Sequence, residues 1–132
     1  MSLNVRVITP EKIVWDADVD ELILPSSTGK VGILTGHAPL VTALAIGVMK
    51  IKTDGKWNTL VLMEGFAEVE NNKVIILSTL AEASNSIDPI MAKDSLEKAT
   101  ALVEKAATKK EKIEATLELR KCETRIEALA GL

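Results

Sequence analysis

The chain has 132 residues, 47% of them hydrophobic and 27% charged, with 16 basic against 19 acidic side chains for a net charge of −3. That length fits one compact domain, or a small domain with an appendage, and the composition is that of a chain able to bury a core. No basic surplus exists to neutralise nucleic-acid phosphates, and Trp15, Trp57 and Phe66 are too few aromatics for a base-stacking platform. One cysteine, Cys122, and one histidine, His37, exclude an internal disulfide and a Cys/His zinc cluster. No apolar run approaches the roughly 20 residues of a spanning helix, and the N-terminal segment matches neither a secretory leader nor an Arg- and Ser-rich transit sequence.

In chain order, Leu3 to Val7 alternates apolar and polar residues, the period of a strand with one buried face. Further strands are predicted at Val19 to Leu24, Val31 to Leu34, Val48 to Lys52, Thr59 to Met63, Phe66 to Glu70 and Val74 to Leu77, all rich in β-branched residues. Turn formers separate them: Ser26-Ser27-Thr28-Gly29, Asp54-Gly55, Glu64-Gly65 and Asn71-Asn72. Asp54-Gly55 and, more weakly, Asn71-Asn72 supply the positive φ angles of tight hairpins. Many short strands at regular spacing predict a sandwich or flattened barrel.

Composition changes at Ile87-Asp88-Pro89, where Asp88 suits a helix N-cap and Pro89 the first helical position. Ala92, Leu96, Ala99, Val103 and Ala106 share one helical face, and Ala115, Leu119, Cys122, Ile126 and Leu129 share another. The two stripes lose phase across Ala107-Thr108-Lys109-Lys110, predicting an antiparallel helical hairpin that ends at Gly131. The hairpin carries nine basic and nine acidic residues, so the acidic surplus belongs to the β-rich part. Asp94/Lys98 is a favourable i,i+4 pair, whereas Lys105/Lys109, Glu114/Glu118, Lys121/Arg125 and Glu123/Glu127 set like charges together, at ~0.2–0.5 kcal/mol each in an isolated helix. The small-residued stripe of the second helix predicts weak docking of the hairpin and a movable tail.

Candidate chemistry is sparse. Thr28-Gly29-Lys30-Val31 lacks the first glycine and the Ser or Thr of a phosphate loop and reads as an inter-strand turn. His37, in Gly36-His37-Ala38-Pro39, is the one imidazole; a small β-sandwich hydrolase or isomerase would have to pair it with a carboxylate such as Glu64 or Glu68, and no nucleophile-elbow pattern accompanies it. The run Asp16, Asp18, Asp20, Glu21 alternates as a solvated strand face would and lacks the spacing of a cation loop. Cys122 sits on the apolar stripe as a small core residue. A generic β-sandwich adaptor with a helical tail is the remaining bland reading.

The succession Val14-Trp15-Asp16, Ile23-Leu24-Pro25, Val31-Gly32-Ile33-Leu34, Gly36-His37-Ala38-Pro39-Leu40, Gly47-Val48-Met49 and Gly65-Phe66-Ala67-Glu68-Val69, followed by helices from Ile87-Asp88, resembles the epsilon subunit of F-type ATP synthase over the whole chain. Trp15-Asp16 and Ile87-Asp88-Pro89 look most like cyanobacterial and chloroplast members. The resemblance implies an α+β chain: an antiparallel β-sandwich of about ten strands over 1–87 and a C-terminal antiparallel two-helix hairpin over 88–132. It implies a non-catalytic rotor component of the central stalk, without cofactor or metal. Its partners would be the gamma subunit, the c-subunit ring and the alpha/beta head. The sandwich would couple rotation to proton flow, and the hairpin would restrain ATP hydrolysis. Its place would be peripheral, on the stromal side of the chloroplast thylakoid or the cytoplasmic side of a cyanobacterial one.

Residue by residue, the resemblance assigns Thr9, His37, Ala38 and Thr42 to the gamma interface. Lys30 falls at the c-ring contact, where some relatives carry an acid. Lys105, Lys109, Lys110, Lys112, Arg120, Lys121 and Arg125 resemble the tail bases that engage an acidic segment of the beta subunit. Some bacterial members bind ATP through Ile/Leu-Asp-x-x-Arg-Ala. This chain reads Ile87-Asp88-Pro89-Ile90-Met91-Ala92, and Met91 removes the side chain best suited to grip a phosphate.

Overall fold

The computed structural model describes residues 2–131. Ten strands come first: β1 (Leu3–Ile8), β2 (Ile13–Val19), β3 (Glu21–Ser26), β4 (Gly29–Leu34), β5 (Leu40–Leu44), β6 (Gly47–Thr53), β7 (Lys56–Leu62), β8 (Gly65–Glu70), β9 (Lys73–Ser78) and β10 (Ala81–Ala83). A 3-10 turn at Ser84–Ser86 leads to helices α1 (Pro89–Lys105) and α2 (Lys109–Leu129). The strands hydrogen-bond in the order β10-β7-β6-β3-β5-β8-β9-β1-β2, with β4 attached to β3. Pairing is antiparallel except between β1 and β9. The far ends of this sheet approach each other, β2 lying against β6 and β10, so the sheet folds over into a flattened sandwich.

Alternation does what the period-2 pattern requires. In β1 the side chains of Leu3, Val5 and Val7 are buried while Asn4 and Arg6 are exposed. They join Leu22, Leu24, Met49, Ile51, Leu60, Leu62, Val74 and Ile76 in one apolar core contributed entirely by the strands. Asp54 (φ 49°) with Gly55 (φ 78°), and Asn71 (φ 50°) with Asn72 (φ 61°), form two-residue hairpin loops of the type I′ kind between Thr53/Lys56 and Glu70/Lys73.

The helical start and stop signals hold. The Asp88 carboxylate accepts hydrogen bonds from the Ile90 and Met91 amides at 2.9 and 3.3 Å, Thr108 caps α2 through the Glu111 amide, and Gly131 takes φ +76° after it. The Asp94–Lys98 pair forms at 2.9 Å. α1 and α2 pack against each other, and α2 alone makes substantial contact with the strands.

Three strands escaped the periodicity. β2 is only weakly alternating in burial, β5 is mostly half-buried, and β10 has three residues held by pairing with β7. The stretch expected as one strand from Val19 to Leu24 is divided: Val19 closes β2 and β3 begins at Glu21. The carboxylate run is therefore split as well. Asp16 lies 3.7 Å from Arg6, Asp18 accepts from Asn4 at 3.0 Å, and Glu21 belongs to the next strand.

One backbone approach is tight enough to demand glycine. A Cβ on Gly65 would lie 1.8 Å from the Leu77 carbonyl oxygen across the β8–β9 pair, whereas Gly32 faces open space. Replacing Gly65→Ala should lower stability by about 3 kcal/mol in urea unfolding, and Gly32→Ala should change it by less than about 0.5 kcal/mol.

Candidate functional site

Among the described residues, no side-chain cluster with catalytic geometry forms around His37. Its Nδ1 donates to the neighbouring Ala38 carbonyl at 2.6 Å; Glu64 accepts from Thr79 Oγ1 at 3.4 Å; and Glu68 lies on β8 opposite Val41. The turn Ser26–Gly29 closes on itself, with Thr28 hydrogen-bonded to the Ser26 hydroxyl, and runs into a strand rather than the helix a phosphate loop needs.

Contact surfaces are more developed. On the outward face of β5-β8-β9-β1-β2, Phe66 stands opposite Leu77, Leu77 opposite Ile8 and Ile8 opposite Ile13, with Val41 and Ile75 on flanking positions. Val41 is 72% exposed and Phe66 60%. A contiguous exposed patch of large apolar side chains marks a docking surface. The residues assigned to the gamma interface surround this sheet without forming a single cluster. Thr9 follows Ile8 and is tied into the β1–β2 turn, its hydroxyl donating to the Lys12 carbonyl at 3.0 Å. His37 and Ala38 lie at the other end of β1, in a loop fastened by Gly36 N donating to Asn72 Oδ1 at 2.7 Å and Asn4 N donating to Asn72 O at 2.9 Å. Thr42 points to the opposite face from Val41, half-buried beside Ala67. The apolar strip between these residues went unmarked in the sequence. The out-facing Val41, Phe66, Ile75 and Leu77, standing where polar residues belong in a half-exposed strand, were the available signal.

The second surface is the junction of strands and tail. Ala128 of α2 is buried with Ile46, Val61 and Met63, flanked by Val48 and Ile87. Polar ties surround this small contact. Arg125 forms a two-pronged pair with Glu82 of β10, Nε and Nη2 donating to Oε1 at 3.1 and 2.9 Å. Thr59 Oγ1 donates to the Ala128 carbonyl at 3.0 Å, and Arg120 Nη2 donates to the Ile46 carbonyl at 3.3 Å. The hydrogen bond to Glu82, with their mutual attraction, holds the Arg125 pKa above its ordinary value despite partial burial. Cys122 is buried, and desolvation, with the nearby Glu118 charge, pushes its thiol pKa up. The thiol stays protonated well past neutral pH and so is a poor nucleophile.

The seven tail bases divide by position. Lys105, Lys109, Lys110 and Lys112 are exposed at the hairpin tip, whereas Arg120 and Arg125 are spent on the strands and Lys121 is half-buried beside them. Lys30 is exposed at the start of β4. At the entry to α1, the Asp88 carboxylate is occupied as a cap and the Met91 side chain is exposed.

Ten folded-over strands with a helical hairpin docked through α2 define a class, and the family model for the ATP synthase Delta/Epsilon chain beta-sandwich domain matches residues 2–84. A chloroplastic ATP synthase epsilon chain from Emiliania huxleyi is 67% identical over 130 residues, covering 98% of this chain and 100% of that one. The chloroplastic epsilon chain of Coffea arabica is 46% identical, covering 98% of each. A chain in the Euglena gracilis mitochondrial ATP synthase, solved with OSCP, F1 and c-ring, shares the fold at a TM-score of 0.85 and 24% identity, covering 97% of this chain and 81% of that one. The chain belongs to the family of ATP synthase epsilon chains.

The junction yields a direct test. Glu82→Gln removes the charged acceptor of Arg125 and should cost about 1.5–3 kcal/mol of docking. Hydrogen exchange of α2 amides should then quicken about tenfold or more, with Cys122 labelled faster by a thiol reagent while the strand core stays protected. Unchanged Cys122 labelling would show that Glu82 does not hold the tail.

Proposed function

We propose that this chain is the plastid epsilon subunit in the working sense: a non-catalytic rotor component whose strands, 1–87, couple rotation and whose hairpin, 88–132, restrains ATP hydrolysis. The exposed apolar strip from Val41 and Phe66 to Leu77 and Ile8 is the observation that carries the coupling half. A face of that kind on a monomer needs a partner, and the gamma subunit, bordered by Thr9, His37, Ala38 and Thr42, is the partner this family supplies. Lys30 would meet the c ring, placing the chain peripherally on the stromal side of the thylakoid.

The restraining half rests on the double duty of the tail bases. Arg120 and Arg125 cannot hold the strands and engage an acidic segment of the beta subunit at the same time. Docking on the strands and inhibition are therefore competing states of one helix, and the junction contacts set their balance. Neutralising Lys105, Lys109, Lys110, Lys112, Arg120, Lys121 and Arg125 together should raise ATP hydrolysis by the reconstituted complex; an unchanged rate would sink the inhibitory role.

ATP is not the ligand that sets this balance. Met91 offers no charge, the Asp88 carboxylate is taken up in capping, and Arg125 is engaged by Glu82. Calorimetry on the isolated chain should show no micromolar ATP binding, and a clear micromolar isotherm would refute this.

A further inference from the structure

A cleft of about 490 Å³ opens where β3, β4 and β6 meet α2. That volume is in the range of small-molecule sites, roughly 300–1,000 Å³. Pro25, Ile46 and Val48 contribute apolar lining. Three cationic residues line the same space, Lys30 from β4, Lys50 from β6 and Arg120 from α2, against the single carboxylate of Glu127. Lys30 and Lys50 form no ion pair among the described residues. Arg120 is held loosely, at 3.3 Å from the Ile46 carbonyl and 3.5 Å from Glu127.

We infer that this cleft binds a small organic phosphomonoester, its phosphate among Lys30, Lys50 and Arg120 and its apolar body against Pro25, Ile46 and Val48. The charge pattern selects the head. Three cations against one carboxylate leave an excess of two positive charges, which a phosphomonoester, carrying about −1.5 to −2 at neutral pH, neutralises and a single carboxylate does not. A guanidinium fork and two mobile ammonium groups are the donors that phosphate oxygens take. The apolar lining selects an organic body over a bare ion.

Because one donor comes from α2 and two come from the strands, the complete site exists only while the tail is docked. A ligand there stabilises the docked state in proportion to ln(1 + [L]/Kd). Pro25 also closes on Gly47, where a Cβ would come within 2.6 Å of the Pro25 Cβ, so the β3–β6 wall of the cleft is closely packed. This site lies on α2 and the strands, apart from Asp88 and Met91 at the entry to α1; because the proposed function gives Lys30 to the c ring and Arg120 to the beta subunit, it is a site of the free chain with its tail docked.

Phenyl phosphate titrated into the isolated full chain, followed by amide NMR, tests the assignment, with inorganic phosphate and benzyl alcohol in parallel. Saturable shifts at Pro25-flanking amides, Gly47 and Val48 are expected with a dissociation constant of about 1 mM or tighter. Inorganic phosphate should bind about tenfold more weakly for want of the apolar contact. Lys50→Gln should weaken phenyl phosphate about tenfold, and exposed Lys30→Gln, which cannot disturb the core, should weaken it as well. Saturating ligand should slow exchange of α2 amides. Absence of saturation, equal binding of inorganic phosphate, indifference to both substitutions, or shifts confined to the Glu82–Asp88 segment would each overturn the assignment. ATPase measurements play no part, so failure here leaves the subunit reading intact.

Discussion

Strand β7 carries Leu60 and Leu62 into the sandwich core and Thr59 and Val61 onto the opposite face, where α2 lies over them and over Met63 just past the strand's end. Both sides of one strand are thus dry, and this double burial ties the two parts of the molecule together. Without α2, Val61 and Met63 lose their contact with Ala128, while the core cluster around Leu60 and Leu62 contains no α2 residue and keeps all its members. Each such side chain contributes about 1.5–3 kcal/mol when buried, so the tail is held by an apolar contact small enough to be broken and supplemented by directional polar bonds. That is the energetic profile of a reversible dock, in contrast to the body, whose seventeen-residue core lies within Leu3–Ala81.

The polar bonds also explain why the tail tolerates its own charge pattern. Lys121 and Arg125 are like charges one turn apart, yet Arg125 turns to Glu82 and the neighbouring Arg120 reaches Glu127 and the Ile46 carbonyl. Helix α2 is not arranged to stand alone in water: Arg125 finds its acceptor in Glu82 and Arg120 one of its acceptors in the Ile46 carbonyl, both outside the helix. Because those outside groups belong to the strands in this structure, any partner that captures the tail must offer an equivalent set of acceptors.

Much of this was legible in the residues. Alternation located β1 and most later strands, Asp54-Gly55 and Asn71-Asn72 fixed two hairpins, and Asp88-Pro89 with Gly131 bounded the helices. β5 and β10 were hidden because their order derives from neighbouring strands rather than from their own side chains, and the Val19/Glu21 corner because a single residue, Asp20, separates the two strands. The resemblance supplied the total of ten strands that periodicity did not. Least legible was the junction. Thr124 and Ala128 give α2 a second buried face beside the Cys122 stripe, and small residues at helical spacing do not reveal whether they meet a helix or a sheet. The unbroken run Leu60-Val61-Leu62-Met63 was the one trace of it, since continuous apolar character marks a strand covered on both sides. The Glu82–Arg125 pair, forty-three residues apart, has no local signature at all.

In the proposed division of labour the strands couple and the tail restrains. Proton pumping per ATP hydrolysed, measured in reconstituted vesicles with the full chain and with a chain ending after Ile87, separates the two most directly. The account predicts faster hydrolysis with an unchanged pumping ratio on loss of the tail; a ratio that collapses with the tail would contradict it.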